Sequence, residues 1–550
     1  MTFSAHHRGE FISQLRARSF DLLVIGGGIT GAGIALDAAT RGLQVALVEK
    51  EDFSYGTSSR STKLIHGGLR YLKQLEFALV KEVGSERAIV HRLAPHLVVP
   101  EKMLLPLYER RGLGYWLTSV GLKIYDWLAG VKREDQRKML TRYQALAAEP
   151  LLKADGVKGG AIYAEYRTDD ARLTIEVMKS AVAGGACAVN YLKVDDFVVT
   201  NDRVEGVTVT DMITRQVFTI KATAVVNAAG PWVDELREVN QSRTGKQLRL
   251  TKGVHIVVPY HRLPVRQAIY FDVPDGRMIF AIPRGRVTYI GTTDTDYVAR
   301  IDDVRANRGD VDYLIHAVND TFPAALLTLA DVESSWAGLR PLIHEVGKSA
   351  SELSRKDEIF ESPSGLISIA GGKLTGYRKM AERVVDRVVD LYFSDAGTKS
   401  CQTASHRLPG GDFDSYDAVI RMQAELAERL GRLNMRGNEA ANLVHLYGRQ
   451  ALQIVSHLEE KTEWQHQPER ALVLAKAWFA IHFEMAMNPV DFLIRRSALV
   501  YFNRPKAQRY SDGVVEYFAE ELNWSAEEKE RQQHRLRVEM DHVLTFDPTS

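Results

Sequence analysis

Three glycines, one acid and a loop crowded with hydroxyls carry the clearest chemical spacing in this sequence. Gly26-x-Gly28-x-x-Gly31 lies between an apolar run, Leu22 to Ile25, and a small-residue stretch from Ile29 to Thr40. Glu49 closes a second apolar run, Val45 to Val48. Gly26 permits a tight turn out of a strand, Gly28 lets a pyrophosphate approach the backbone, and Gly31 lets the following helix pack closely on its sheet. The helix opened by Ile29 and Thr30 points free N–H groups and a partial positive charge at the phosphates. Glu49 is placed to accept hydrogen bonds from ribose hydroxyls, and an acid there repels a 2′-phosphate. This unit therefore reads as a dinucleotide site, with Gly26, Gly27, Gly28, Ile29, Thr30, Gly31, Glu49 and Lys50 as its contact set.

Residues 54 to 71 read as a loop rich in hydroxyls and glycine. Thr57, Ser58, Ser59, Lys63 and Leu64 are its candidate cofactor contacts, because such a loop offers many donors to phosphates and ring edges. Arg60, Lys63, His66 and Arg70 also suit an anion. Two apolar runs, 224–232 and 366–375, end in glycine-containing turns, as required where backbone nears a ligand. They add Ala229, Gly230, Gly372, Lys373, Leu374 and Thr375 to the cofactor set.

These residues need a scaffold, and 550 residues suffice for two or three domains with a large core. The net charge of +1 gives no overall attraction to nucleic acid. Two cysteines, Cys187 and Cys401, rule out a disulfide framework or a thiolate metal cluster and fit a reducing cytosol. No apolar run reaches the ~20 residues needed to span a bilayer, and no secretory signal is legible. The apolar stretch from Tyr115 to Leu128 reads as a core helix, with membrane-interface contact as the alternative.

The pattern predicts a nucleotide-binding part over 1–160 and a mostly stranded part over 161–365, from which a strand at 224–232 returns to the first sheet. The last nucleotide-binding part covers 366–395, followed by a linker, 396–416, and a separate helical domain, 417–550. Asp169 and Asp170 read as helix N-caps. Asp294 and Asp296 read as a polar turn in preference to a metal site.

Several motifs together resemble the FAD-dependent, aerobic glycerol-3-phosphate dehydrogenases: IGGGITGAGIALDAATRGL at 25–43, TSSRSTKLIHGGLRYL at 57–72, DDARL at 169–173, NAAGPW at 227–232, KGVHIVVP at 252–259, IGTTDTDY at 290–297, GLRPL at 338–342 and AGGKLTGYRKMAE at 370–382. Arg60 departs from the family pattern, where a small residue is expected. The resemblance implies an α/β fold: an FAD-binding Rossmann-type domain with an inserted antiparallel β-sheet substrate domain and a C-terminal all-α domain. It implies oxidation of sn-glycerol 3-phosphate to dihydroxyacetone phosphate, with FAD taking the hydride and a membrane quinone taking the electrons. It also implies a homodimer on the cytoplasmic face of the cell membrane.

That reaction requires cations for a phosphate dianion and an acceptor for the hydroxyl proton. Arg70, Arg340, Arg355 and Lys373 are the candidate cations. His255 is the first candidate for the proton and His66 the second, since an imidazole titrates near neutrality. Family positions corresponding to Arg70, Tyr71, His255, Arg340, Arg355 and Lys373 line the substrate pocket. An oxygen-using glycerol-3-phosphate oxidase, an amine or amino-acid oxidase of the same fold, and a flavin-binding regulatory module are the competing readings.

Overall fold

The strand Ser19–Ile25 is apolar along most of its length and sits inside a sheet, with parallel neighbours on both sides. The computed structural model describes residues 2–66, 77–109, 122–123, 136–344, 357–435, 437–464 and 466–547. Around that strand the sheet runs in the order Glu358–Glu361, Ile367–Ala370, Val217–Asn227, Ser19–Ile25, Val45–Val48, Cys187–Val189. Its inner pairs are parallel, so crossover helices must cover the faces. Ile29–Thr40 packs between Asp170–Ala183 and Tyr377–Tyr392 and buries nearly all of its small side chains. A Cβ on Gly31 would lie 1.9 Å from the Gly26 carbonyl oxygen, so the close packing inferred for the third glycine is real.

The second sheet has ten strands among the described residues and is mostly antiparallel. It contributes Gln247–Pro259 and Ser334–His344 to the site, with Val287–Gly291 alongside the first of them. The two sheets do not divide at residue 160. Val99–Tyr108 and Lys138–Thr141 already belong to the second sheet, whereas the hairpin Leu192–Thr200/Arg203–Asp211 extends the first. Alternation along a strand identifies its buried face but not the sheet it joins, which long-range pairing decides.

The tail is helical throughout its described residues, as expected, but only its first half has a core of its own, between Phe413 and Phe479. Residues from Val473 to Val543 share a core with Val257, Tyr289 and Trp336 of the second sheet. Buried charges fasten the tail to the first domain. Asp52 accepts from Arg495 and from Arg496, whose Nη1 lies at 2.7 Å, and Glu484 accepts from Arg172 at 2.7 Å. Each such charge would be costly if left alone, so the two parts dock in one arrangement. The predicted pair Asp169 and Asp170 divides its work. Asp169 caps Asp170–Ala183, and Asp170 takes the Lys63 ammonium at 2.5 Å.

His96 lies fully buried at the tail junction, against Phe413, with no hydrogen-bond partner on either ring nitrogen. Burial, with Arg172, His445 and Lys179 adding, pushes its pKa down to about 3. The unfolded imidazole titrates near 6.5, so its contribution is fully present above that pH and is lost as pH falls toward about 3. About 2–3 kcal/mol of stability is expected to disappear by roughly pH 4.5 through this residue. Denaturant titrations at neutral pH and near pH 4.5 test it: His96→Leu should show a shallower acid loss than the parent chain. Equal losses would assign acid lability to other groups.

Candidate functional site

Two adjacent antiparallel strands build the floor of a deep cavity. Gln247–Pro259 and Ser334–His344 pair with His255 opposite Trp336, Gly253 opposite Gly338 and Thr251 opposite Arg340. Side chains alternate along strands, so His255 and position 253 share a face with Trp336, position 338 and Arg340. The intervening Val254, Ile256, Ala337 and Leu339 enter the core on the other side. The two glycines keep the floor open. A Cβ at Gly253 would lie 2.3 Å from Arg340 Nη2, and one at Gly338 would lie 2.6 Å from the Arg60 carbonyl oxygen.

His255 is held on all sides. Its ring stacks on Trp336 at 4.8 Å and 11°, and Gly291 leaves room for it on the neighbouring strand. Nε2 lies 3.0 Å from Thr62 Oγ1, a hydroxyl able to donate or accept and so to hold either tautomer. Nδ1 is buried without a partner. Burial first, then the positive charges of Arg340 and Lys63, hold the imidazole well below its ordinary pKa, so the ring is neutral at neutral pH. Arg340 is also fixed: Nη2 donates to Thr292 Oγ1 at 2.7 Å, and Nη1 to the Thr293 carbonyl at 3.1 Å and Asp294 Oδ1 at 3.2 Å. Asp296 pairs with Arg249, so the two acids of this turn serve arginines.

The same cavity, of about 370 Å³, runs from this floor to the glycine fingerprint. Gly26, Gly28, Ile29, Thr30, Glu49, Lys50, Thr57, Ser58, Leu64, Ala229, Gly230, Gly372, Lys373, Leu374 and Thr375 all line it, as do His66, His255 and Arg340. Of the residues predicted from sequence, Arg70, Tyr71 and Arg355 lie outside the described residues. Four others stand back from the cavity wall. The Gly27 N–H donates to Glu49 Oε2 at 2.7 Å, Gly31 packs the helix, and Ser59 Oγ returns to the carbonyls of Tyr55 and Gly56. Lys63 is corrected most plainly: its ammonium, which looked suited to an anion, is buried on Asp170 and the Ser59 carbonyl. The Lys63 carbonyl accepts from the Thr168 N–H, just before the helix Asp170–Ala183, and sequence spacing does not reveal that buried acid.

The donor set fits a flavin dinucleotide. At the helix start Ser58 Oγ accepts from the Ile29 N–H at 2.9 Å, placing a hydroxyl beside the N-terminus of Ile29–Thr40. Glu49 stands at the end of Val45–Val48, and burial raises its pKa above the usual carboxylate value although the N–H groups of Glu51 and Gly27 oppose this. Lys50 leans over the Trp232 ring at 4.3 Å and pairs with Asp302 at 2.6 Å. At the other end, Gly371 and Gly372 adopt φ of +80° and +77°, a bend that brings the backbone before Lys373 to the cavity. Thr375 Oγ1 donates to the His66 carbonyl at 3.2 Å and closes this turn onto the hydroxyl-rich loop. Arg60 places its guanidinium 5.0 Å from the Tyr55 ring. Sequence reasoning missed Thr62, Thr292 and Trp336. The first two sat inside quoted motifs, but only the register shows which side chain each one supports.

Residues 21–378 match the family model for FAD dependent oxidoreductases, and residues 401–529 match that for the C-terminal domain of alpha-glycerophosphate oxidase. The chain is 46% identical to the aerobic glycerol-3-phosphate dehydrogenase of Bacillus subtilis (strain 168), covering 97% of both chains. It is 48% identical to the protein of that name from Staphylococcus aureus (strain USA300), covering 96% of this chain and 95% of the relative. Among solved structures, the glycerol-3-phosphate dehydrogenase from Bacillus halodurans complexed with FAD superposes with a TM-score of 0.84 at 45% identity. That match covers 100% of this chain and 99% of the other.

Proposed function

This chain belongs to the family of aerobic, FAD-dependent glycerol-3-phosphate dehydrogenases, and on that premise we propose how its cavity works and where its electrons go. The protein is a flavoprotein that oxidises sn-glycerol 3-phosphate to dihydroxyacetone phosphate. Bound FAD supplies the hydride acceptor, N5 of its ring system. Everything else the reaction needs is assigned to side chains. His255 Nε2, which meets the cavity-lining Thr62 hydroxyl, takes the proton from the C2 hydroxyl. Arg340 and Lys373 hold the phosphate, and the strand pair fixes C2 between the two functions. His66 lines the same cavity as the second candidate for the proton.

The observation that carries this reading is the shared face of the two strands, which sets a neutral imidazole and a guanidinium on one floor. A dianionic substrate also strengthens the base. Two positive neighbours depress the imidazole, and incoming negative charge offsets them at the moment the proton must move.

Electrons then leave to a membrane quinone, with the protein attached as a homodimer to the cytoplasmic membrane surface. Among the described residues no helix is long and apolar enough to cross a membrane, in keeping with surface attachment. Molecular oxygen is the competing acceptor, favoured by the match of residues 401–529 to an oxidase domain model. Anaerobic mixing with sn-glycerol 3-phosphate is expected to bleach the flavin absorbance. A soluble quinone analogue, and not oxygen, should then restore it. Rapid recovery in oxygen with release of peroxide would make the protein an oxidase, and absence of bleaching would remove this substrate.

A further inference from the structure

We propose that His6, His482 and Glu521 form a zinc site that staples the N-terminal segment to the helical tail. Three elements converge there: the short 3-10 turn Ala5–His7, the last turn of Pro468–Phe483 and the last turn of Arg504–Glu521. One carboxylate oxygen, Glu521 Oε2, lies 3.0 Å from His482 Nε2 and 3.6 Å from His6 Nε2. All three candidate ligand atoms lie within 4.8 Å of one another, and among the described residues no other trio of His, Cys, Asp or Glu comes together this way. Atoms bound about 2.1 Å from one tetrahedral ion are separated by about 3.4 Å, so both measured spacings sit near those of a first coordination shell. One oxygen thus faces two imidazoles, a wider convergence than a single ion pair requires.

The surroundings hold the ligands as a metal site requires. Ser4 Oγ donates to the Ile481 carbonyl at 3.2 Å and accepts from the His6 N–H at 3.2 Å, so one buried hydroxyl ties together the backbones on which both histidines stand. The Tyr517 hydroxyl hydrogen-bonds to Glu521, orienting the carboxylate from behind. The His482 ring packs against Trp478 at 5.5 Å and against His6 at 4.7 Å. The three side chains are 27–35% exposed, which leaves an entry path and a position for water. Two imidazoles and one carboxylate suit zinc and exclude the all-oxygen shells of magnesium and calcium. These residues belong to the N-terminal turn and the tail and line no part of the flavin cavity, so the ion is structural and not part of the oxidation.

The test uses the full, tag-free, FAD-loaded chain, stripped with chelator and titrated with zinc sulfate. Equilibrium dialysis with elemental analysis should give one saturable zinc per chain, and the melting temperature should rise on loading and fall on rechelation. His6→Ala and His482→Gln are each expected to weaken binding at least roughly tenfold, since even outer-shell changes at metal sites cost 10–100-fold. Their flavin content and their rate of flavin reduction should match the parent chain. His6→Ala changes a part-exposed side chain and keeps the test valid if the other variant fails to fold. The absence of saturable zinc, or binding unchanged in His6→Ala, would overturn the site.

Discussion

His255→Ala is expected to retain FAD and to slow its anaerobic reduction by sn-glycerol 3-phosphate by roughly 10²–10⁴-fold, the range over which general bases act. Retention follows from geography. The glycine fingerprint, Ser58 and Glu49 belong to the first sheet and its loops, whereas His255 stands on the second. Slowing follows because the imidazole is held in an enforced placement, between Trp336 and Gly291 and against Thr62. Flavin content measured after gel filtration separates loss of cofactor from loss of chemistry. A variant that binds FAD and reduces it at the parent rate would take His255 out of the mechanism and turn attention to His66.

The parts of this site that were legible in the sequence are those fixed by local rules. The fingerprint strand, the helix Ile29–Thr40 and the strand Val45–Val48 fall where apolar runs and glycine turns put them. His255 and Arg340 were legible through the family motifs, and the structure brings both to one cavity. What stayed hidden depends on pairing between distant segments. Nothing local in KGVHIVVP or GLRPL says that Gly253 faces Gly338, or that Trp336 forms the bed of the imidazole. Lys63 shows the same limit from the other side: its neighbours in the loop advertise an anion site, and a carboxylate more than a hundred residues later, Asp170, claims it. The tail is a third case. Amphipathic periodicity identifies helices but not the surface that receives them, so a shared core with the second sheet was not visible.

Arg340→Ala should raise the substrate concentration needed for half-maximal flavin reduction by more than tenfold, as the loss of a charged phosphate contact requires. The guanidinium is held in place before substrate arrives by Thr292, the Thr293 carbonyl and Asp294, so little ordering is needed when the phosphate binds. Its removal has a second effect of opposite sign. Arg340 is one of the charges depressing the His255 imidazole, and without it the base becomes easier to protonate and intrinsically stronger. The maximal reduction rate at saturating substrate should therefore fall far less than the apparent affinity. Stopped-flow traces over a range of substrate concentrations separate these two quantities. Arg340→Lys, which keeps the charge but loses the planar fork, should fall between the parent chain and the alanine variant. A concentration requirement unchanged in Arg340→Ala would move the phosphate away from the strand-pair floor and toward the Gly371–Gly372 turn, leaving Lys373 as its principal cation.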